Sequence, residues 1–169
     1  MKKKASRQDQ IFEDAVTLLA EKKLKVTFAE SCTGGLLAVA LTAVPGASEV
    51  FDGSFVTYAE AVKQRVVGIS AQTVKDPGVV SAPCAMEMAR GARAAMGADI
   101  ALSVTGVAGP GGGTEKNPVG LVFIGVSSPR GTRAYRFRFH GKGTDVRRAN
   151  RLAAAAAAGI LLQAEAKRL

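Results

Sequence analysis

The amino-acid sequence predicts a single-domain layered α/β sandwich, in which a mixed β-sheet is flanked by helices. Strand-like and helical stretches alternate along 169 residues, a length typical of one domain. Apolar residues make up 47% of the chain, which is enough for a buried core. The last two strand-like stretches are joined by the tight turn Arg130-Gly131, so they must pair antiparallel and the sheet is expected to be mixed.

The first half of the chain begins with apolar residues at helical spacing, which predict a helix over 7–22. A short strand is expected at about 25–29, followed by a helix that ends near Ala43, because Pro45 and Gly46 break it. The remaining elements predicted for this half are a strand at 51–58, a short helix at 59–67, a helical turn from Ser70, and a helix at 81–96.

The second half contains a β-like stretch at 99–104 that leads into a glycine-rich loop at 105–114. A hairpin of strands at 119–126 and 132–140 follows. In its second strand aromatic and basic side chains alternate, which indicates one face toward the core and one toward solvent. Thr144 or Asp145 is expected to cap a final helix, which a run of alanines favours.

Residues 1–6 form a basic segment that we predict to be a flexible tail ahead of a domain at 7–169. No apolar signal core follows this tail, and no apolar run reaches the roughly 18 residues that cross a bilayer. We therefore expect a cytoplasmic protein without membrane association. Cys32 and Cys84 match no zinc or CxxC spacing, so free thiols and no metal are predicted.

The sequence AESCTGG at 29–35 is the first candidate site, because it joins an apolar strand to a helix. Its glycines would let a ligand approach backbone N–H groups at a helix N-terminus, which favours an anion or a developing oxyanion. The hydroxyl of Ser31 and the thiol of Cys32 are both candidate nucleophiles. The predicted site residues in this turn are Ser31, Cys32, Thr33, Gly34 and Gly35.

The loop at 105–114 is the second candidate site, and it also follows a strand. Loops at the carboxyl ends of strands form the ligand crevice of open α/β sheets, so the two loops are expected to share one site. Neither a P-loop nor a dinucleotide-binding glycine pattern fits the chain. The predicted site residues in this loop are Thr105, Gly106, Gly109 and Gly113.

A base for Ser31 must be found with a single histidine, His140, which the strand alternation places among arginines. A Ser-His-Asp triad and a histidine-rich metal site are therefore disfavoured. Lys63 is the alternative, because a lysine buried beside apolar neighbours has a lowered pKa and can act as a neutral amine. The competing interpretation is an ordinary exposed lysine.

Six stretches resemble one known family in the same order: AESCTGGLLA (29–38), PGAS (45–48), FDGSFVTYAEAVK (51–63), GVVSAPCAMEMARGA (78–92), SVTGVAGPGGGT (103–114) and PVG (118–120). That family is the CinA C-terminal domain family, whose enzymatic members are nicotinamide-nucleotide amidohydrolases. The resemblance implies an α/β fold. It also implies hydrolysis of the carboxamide of nicotinamide mononucleotide to nicotinate mononucleotide and ammonia, without a metal or organic cofactor.

Carried over position by position, the resemblance implies that Ser31 is the nucleophile and Lys63 its base. It further implies that Ser48, Tyr58 and Thr105 hold the network or the substrate. The family often has Gly-Asp-Arg where this chain has Gly-Lys-Gly at 141–143, so contacts from that turn are not carried over.

The segment 130–151 carries eight Lys and Arg residues against the single acid Asp145. From it we predict Arg147 as the ligand of the substrate phosphate. The same charge, together with the association with competence and DNA damage that the family resemblance implies, motivates an alternative function, a non-catalytic nucleotide- or nucleic-acid-binding module. Nucleic acid is disfavoured because aromatic residues are only 5% of the chain. A small-molecule substrate and a homodimer are the expected partner and assembly.

Overall fold

The computed structural model describes residues 7–169. Residues 1–6, predicted to form a basic tail, lie outside the described residues. The described chain contains, in order, α1 (Arg7–Glu21), β1 (Val26–Glu30), α2 (Leu36–Thr42), a 3₁₀ turn (Ala47–Glu49), β2 (Phe55–Val56), α3 (Glu60–Val67), α4 (Ala71–Lys75), α5 (Ala82–Met96), β3 (Ile100–Gly106), β4 (Leu121–Ser128), β5 (Gly131–Arg138) and α6 (Val146–Ala166).

The five strands form one sheet in the order β2-β1-β3-β4-β5. Strand β1 pairs parallel with both β2 and β3, and Ala29 lies opposite Phe55 on one side and Ser103 on the other. Strands β4 and β5 continue the sheet in antiparallel pairing. The predicted mixed sheet is therefore confirmed. Because β1, β2 and β3 point the same way, the segments that follow them leave from one edge.

Helices cover both faces of the sheet, as the predicted sandwich requires. Helices α1, α2 and α6 pack against each other and against one face, where the larger apolar core lies. Helix α5 covers the other face, with α3 and α4 packed on it. Within residues 7–169, no helix combines the length and the apolar character that a membrane span needs.

The strand predicted at 51–58 is shortened to two residues, Phe55 and Val56. Only one isolated bridge, from Val26 to Phe51, pairs the earlier part of this segment with β1. At Gly53 the chain lies so close to α5 that a Cβ atom would stand 2.9 Å from Cε of Met96. The segment before Phe55 is therefore not a regular strand.

The caps agree with the helix starts that the sequence predicts. Ser81 accepts a hydrogen bond from the backbone N–H of Cys84 at the start of α5. Asp145, rather than Thr144, caps α6, because its side chain accepts from the N–H of Arg148 at 2.8 Å. The alternating faces of β5 are also present, since Tyr135, Phe137 and Phe139 pack on the core while the arginines between them are exposed.

Gly91 sets the distance between α5 and α3. A Cβ atom at this position would overlap the carbonyl oxygen of Val67, the last residue of α3. Gly159 in α6 offers a comparison, because a Cβ atom there would meet side-chain atoms rather than backbone, namely Cγ2 of Ile11 at 2.5 Å and the ring of Phe12. The backbone of Val67 cannot move aside for a side chain at position 91, whereas the side chains near position 159 can shift.

We predict that Gly91→Ala lowers the free energy of unfolding by about 2 kcal/mol or more, because overpacking against backbone outweighs the gain in helix propensity. Gly159→Ala gains the same propensity and should cost clearly less. Urea unfolding followed by circular dichroism measures both variants. Equal stabilities of the two variants would contradict the proposed backbone contact.

Candidate active site

A cavity of about 340 Å³ opens at the edge of the sheet where β1 and β3 end. This volume is in the range of small-molecule sites. Both predicted loops contribute to it, as do the start of α3 and the start of α6. The lining residues are Ser31, Cys32, Tyr58, Ala59, Glu60, Lys63, Val79, Val80, Thr105, Gly106, Val107, Ala108, Gly109, Gly111, Gly112 and Arg147.

At the base of the cavity the side chains of Ser31 and Lys63 meet. The Nζ atom of Lys63 lies 3.0 Å from Oγ of Ser31. The same Nζ donates to the backbone carbonyl oxygens of Thr57 at 2.8 Å and Tyr58 at 3.0 Å. A neutral amine has two N–H groups and one lone pair. With its N–H groups on the two carbonyls, its lone pair is left for the Ser31 hydroxyl.

Lys63 is buried, with 1% of its surface exposed, so it is not the ordinary surface lysine of the competing interpretation. Burial lowers the pKa of its ammonium from the ordinary value of 10.5, against weaker opposing effects of Cys84, Glu60 and Cys32. Within residues 7–169 no carboxylate forms an ion pair with it. The surroundings therefore make the neutral amine, the form that can accept a proton, easier to reach than in a solvent-exposed lysine.

Glu30 holds the turn on which Ser31 stands, and sequence reasoning missed it. Its carboxylate is fully buried and accepts hydrogen bonds from the N–H groups of Gly35, Leu37 and Ala38 at 3.0, 3.2 and 3.1 Å. A buried acid at the end of an apolar strand, just before a Gly-Gly helix start, was the available signal. This carboxylate already satisfies the positive end of α2.

The expectation that Gly34 and Gly35 present their N–H groups to a ligand is therefore wrong in this structure. The N–H of Gly35 is bonded to Glu30, and that of Gly34 donates to the carbonyl oxygen of Ser31 at 3.0 Å. Neither glycine lines the cavity, and neither does the buried Thr33, whose carbonyl oxygen accepts from Arg151 at 2.7 Å. These three residues shape the turn rather than contact the cavity.

The second loop contributes Thr105, Gly106 and Gly109 to the cavity, as predicted. The hydroxyl of Thr105 donates to the carbonyl oxygen of Val79 at 2.6 Å, which ties the loop to the segment before α5. Asn150, which sequence reasoning also missed, is buried in α6 and donates to the carbonyl oxygen of Ala108 at 3.0 Å. The loop is thus held at one point by the segment before α5 and at another by α6.

Arg147 spans the mouth of the cavity from the first turn of α6. One terminal nitrogen donates to the carbonyl oxygen of Gly109 at 3.0 Å, and the other donates to the hydroxyl of Tyr58 at 2.9 Å. Both acceptors are neutral, and no ion pair of Arg147 is formed within the described chain. A guanidinium without a counter-charge at a cavity mouth can bind an anion.

Cys32 lines the cavity, but its chemistry differs from what the sequence suggested. A helix N-terminus lowers the pKa of a thiol, but here burial outweighs that effect and raises the pKa of the Cys32 thiol to about 11. Only 6% of the residue is exposed. The thiol therefore lacks the thiolate character of a nucleophile, and the geometry favours Ser31.

Ser48 and Gly113 are not brought to the cavity. Ser48 is exposed on the 3₁₀ turn and borders a separate depression with Thr42 and Phe51. Gly113 packs against Val119 at the far end of the loop. The assignment of these two residues to the site is not supported by their positions in this chain. Residues 7–169 also contain no group of three or more metal-ligating side chains arranged to hold an ion.

We predict that Cys32 and Cys84 both resist alkylation in the folded protein at pH 8. Cys84 is fully buried and burial raises its thiol pKa to about 11, as for Cys32, so on the order of one thiol in a thousand is ionised. Mass spectrometry after iodoacetamide treatment measures the labelling, with urea-unfolded protein as the fully labelled control. Rapid labelling of Cys32 in the folded protein would contradict this prediction and support the thiol as the nucleophile.

Comparison with known proteins shows which family this chain resembles. The CinA C-terminal domain matches residues 8–163. A putative competence-damage inducible protein of Caldicellulosiruptor bescii is 53% identical over 133 residues, and a CinA-like protein of Chlorobaculum tepidum is 51% identical over 134 residues. The aligned parts cover 78% and 76% of this chain but only 32% of each relative, so the chain spans about a third of their length.

Solved structures show the same fold. The competence/damage inducible protein CihA of Agrobacterium tumefaciens is 37% identical with a TM-score of 0.90, and the alignment covers 97% of this chain and 98% of that one. A CinA superfamily protein of Klebsiella pneumoniae has a TM-score of 0.90 at 30% identity and covers 97% of this chain and 100% of that one. The chain therefore belongs to the CinA C-terminal domain family.

Proposed function

We propose that this domain hydrolyses the carboxamide of nicotinamide mononucleotide, giving nicotinate mononucleotide and ammonia through an acyl-enzyme on Ser31. The observation that carries the proposal is the 3.0 Å contact between Nζ of Lys63 and Oγ of Ser31 on the wall of one cavity. A serine beside a buried lysine is one of the arrangements that activate a hydroxyl for acyl transfer.

In the first step neutral Lys63 takes the proton of the Ser31 hydroxyl as Oγ attacks the carboxamide carbon. The tetrahedral oxyanion needs N–H donors, and the N–H groups of Gly34 and Gly35 are already bonded. The N–H of Cys32, next to the nucleophile on the cavity wall, is our proposed donor. Loss of such a donor costs about 3–4 kcal/mol of barrier.

In the second step the Lys63 ammonium protonates the leaving nitrogen, which departs as ammonia and leaves the acyl group on Ser31. Neutral Lys63 then takes a proton from a water molecule, whose oxygen attacks the acyl carbon. As the ester bond to Ser31 breaks, the Lys63 ammonium returns this proton to Oγ of Ser31, and the product acid leaves and loses its own proton to solvent as the carboxylate. The carbonyl oxygens of Thr57 and Tyr58 hold Nζ in place through both steps. No metal or organic cofactor is needed for this sequence.

The far end of the substrate is a phosphate, and Arg147 is our proposed ligand for it. Its guanidinium bonds only neutral oxygens of Gly109 and Tyr58 at the cavity mouth, so an anion offers it a stronger partner. The 105–114 loop would cover the nucleotide between these two ends.

We predict that Ser31→Ala and Lys63→Ala each lower ammonia release from nicotinamide mononucleotide by at least about a thousandfold, because nucleophile and base act as a unit. Lys75→Ala removes an exposed lysine of α4 and serves as the matched control. Circular dichroism checks that each variant is folded. Full activity of folded Ser31→Ala would overturn the serine mechanism.

The pH dependence provides a further prediction. Because neutral Lys63 is the base, kcat should rise with pH on an acid limb whose midpoint lies below 10.5, in the direction of the pKa shift caused by burial. In Lys63→Arg the positive charge is kept, but the guanidinium cannot deprotonate in this pH range. The variant should therefore lose activity, and its pH profile should lack the acid limb. A rate that falls as pH rises through this limb would contradict Lys63 as the base.

A further inference from the structure

The cavity carries an unpaired carboxylate that the proposed mechanism does not use. Among the described lining residues the charged side chains are Glu60, Lys63 and Arg147, and Glu60 is the acid among them. Glu60 begins α3, one helical turn before Lys63, so the two side chains lie on the same helix face. Within residues 7–169 the Glu60 side chain forms no ion pair and no hydrogen bond.

An acid in the first turn stabilises a helix, and this accounts for a glutamate at the start of α3 in general. It does not account for the charge balance of the cavity. When Lys63 is neutral, as the base must be, the wall keeps one negative charge at Glu60 and one positive charge at Arg147. The two charges act on different groups, since Glu60 affects the pKa of Lys63 whereas Arg147 affects that of Cys32.

We propose that Glu60 is a specificity-determining residue that favours amides carried on a cationic aromatic ring. This inference rests on the proposed function. The nicotinamide ring of the mononucleotide is alkylated at its ring nitrogen and carries a positive charge, while the other end of the molecule carries a phosphate. Such a ligand matches a cavity with a carboxylate beside the base and a guanidinium at the mouth.

A cationic ring next to Glu60 also assists the base. The negative charge of Glu60 opposes the lowering of the Lys63 pKa that burial causes, as do Cys84 on α5 and Cys32 in the turn. A bound cation offsets the effect of Glu60, so it shifts Lys63 further toward the neutral amine. A ligand with an uncharged ring provides no such shift.

The test compares two ligands that share carboxamide, ribose and phosphate but differ in ring charge, namely nicotinamide mononucleotide and its neutral 1,4-dihydro form. Binding is measured by calorimetry in the Ser31→Ala background, where turnover cannot interfere. We expect tighter binding of the cationic form, and Glu60→Gln should reduce that preference by about two- to fivefold, the range of a solvent-accessible charge pair. Glu13→Gln on α1 changes the net charge equally, far from the cavity, and should leave the preference unaltered.

The outcomes for Glu60 and for the proposed function are separable. The role of Glu60 is overturned if Glu60→Gln leaves the preference for the cationic nucleotide unaltered. It is also overturned if the Ser31→Ala protein with Glu60 intact shows no such preference. Either result holds even if the parent protein releases ammonia. No ammonia release by the parent overturns the proposed function, while the binding preference still decides the role of Glu60. Absence of binding by both nucleotides overturns both.

Discussion

The carboxylate of Glu30 is the interaction on which the site depends. A buried negative charge is costly unless it is paired or hydrogen-bonded, and here three backbone N–H groups at the start of α2 surround it. Those bonds fix the path of the chain between β1 and α2, and therefore the direction in which Ser31 points. They also occupy the end of the helix that would otherwise attract an anion, so ligand charge must be met elsewhere.

The other half of the proposed catalytic pair comes from a different layer. Lys63 reaches the cavity from α3, and backbone carbonyls of the segment between β2 and α3 fix its amine. The two reacting side chains are 32 residues apart in sequence but 3.0 Å apart in space. Burial disfavours the charged form of Lys63 and lowers its pKa, so the neutral amine that can accept a proton forms at lower pH than in an exposed lysine.

Much of the fold follows from local pattern. Helix boundaries were predicted within a few residues because caps such as Ser81 and breakers such as Gly68 act locally. The strand at 51–58 was overestimated because only Phe55 and Val56 form ladder pairs with β1, and this pairing depends on a strand more than twenty residues away. A local pattern carries no information on such a contact.

The site was predictable only in part for the same reason. Ser31, Lys63 and Thr105 were predicted as site residues, and one cavity brings them together, because they lie beside strand ends that the topology places at one edge. The roles of Gly34 and Gly35 were misassigned because the partner of their turn, Glu30, is set by three-dimensional burial. The raised pKa of Cys32 likewise reflects desolvation that spacing does not reveal.

The backbone contact at Gly91 has a consequence for altering substrate range. Helix α3 carries Lys63, and its last residue, Val67, meets α5 through backbone at Gly91, so no side chain can be trimmed at this contact to widen that wall. Enlarging the cavity from this side would tilt α3 and draw the amine away from Ser31. New substrates would have to be accommodated by the opposite wall, the 105–114 loop, where Gly111 and Gly112 have open space around them. The domain thus has one wall that is fixed around the proposed base and one that can be remodelled.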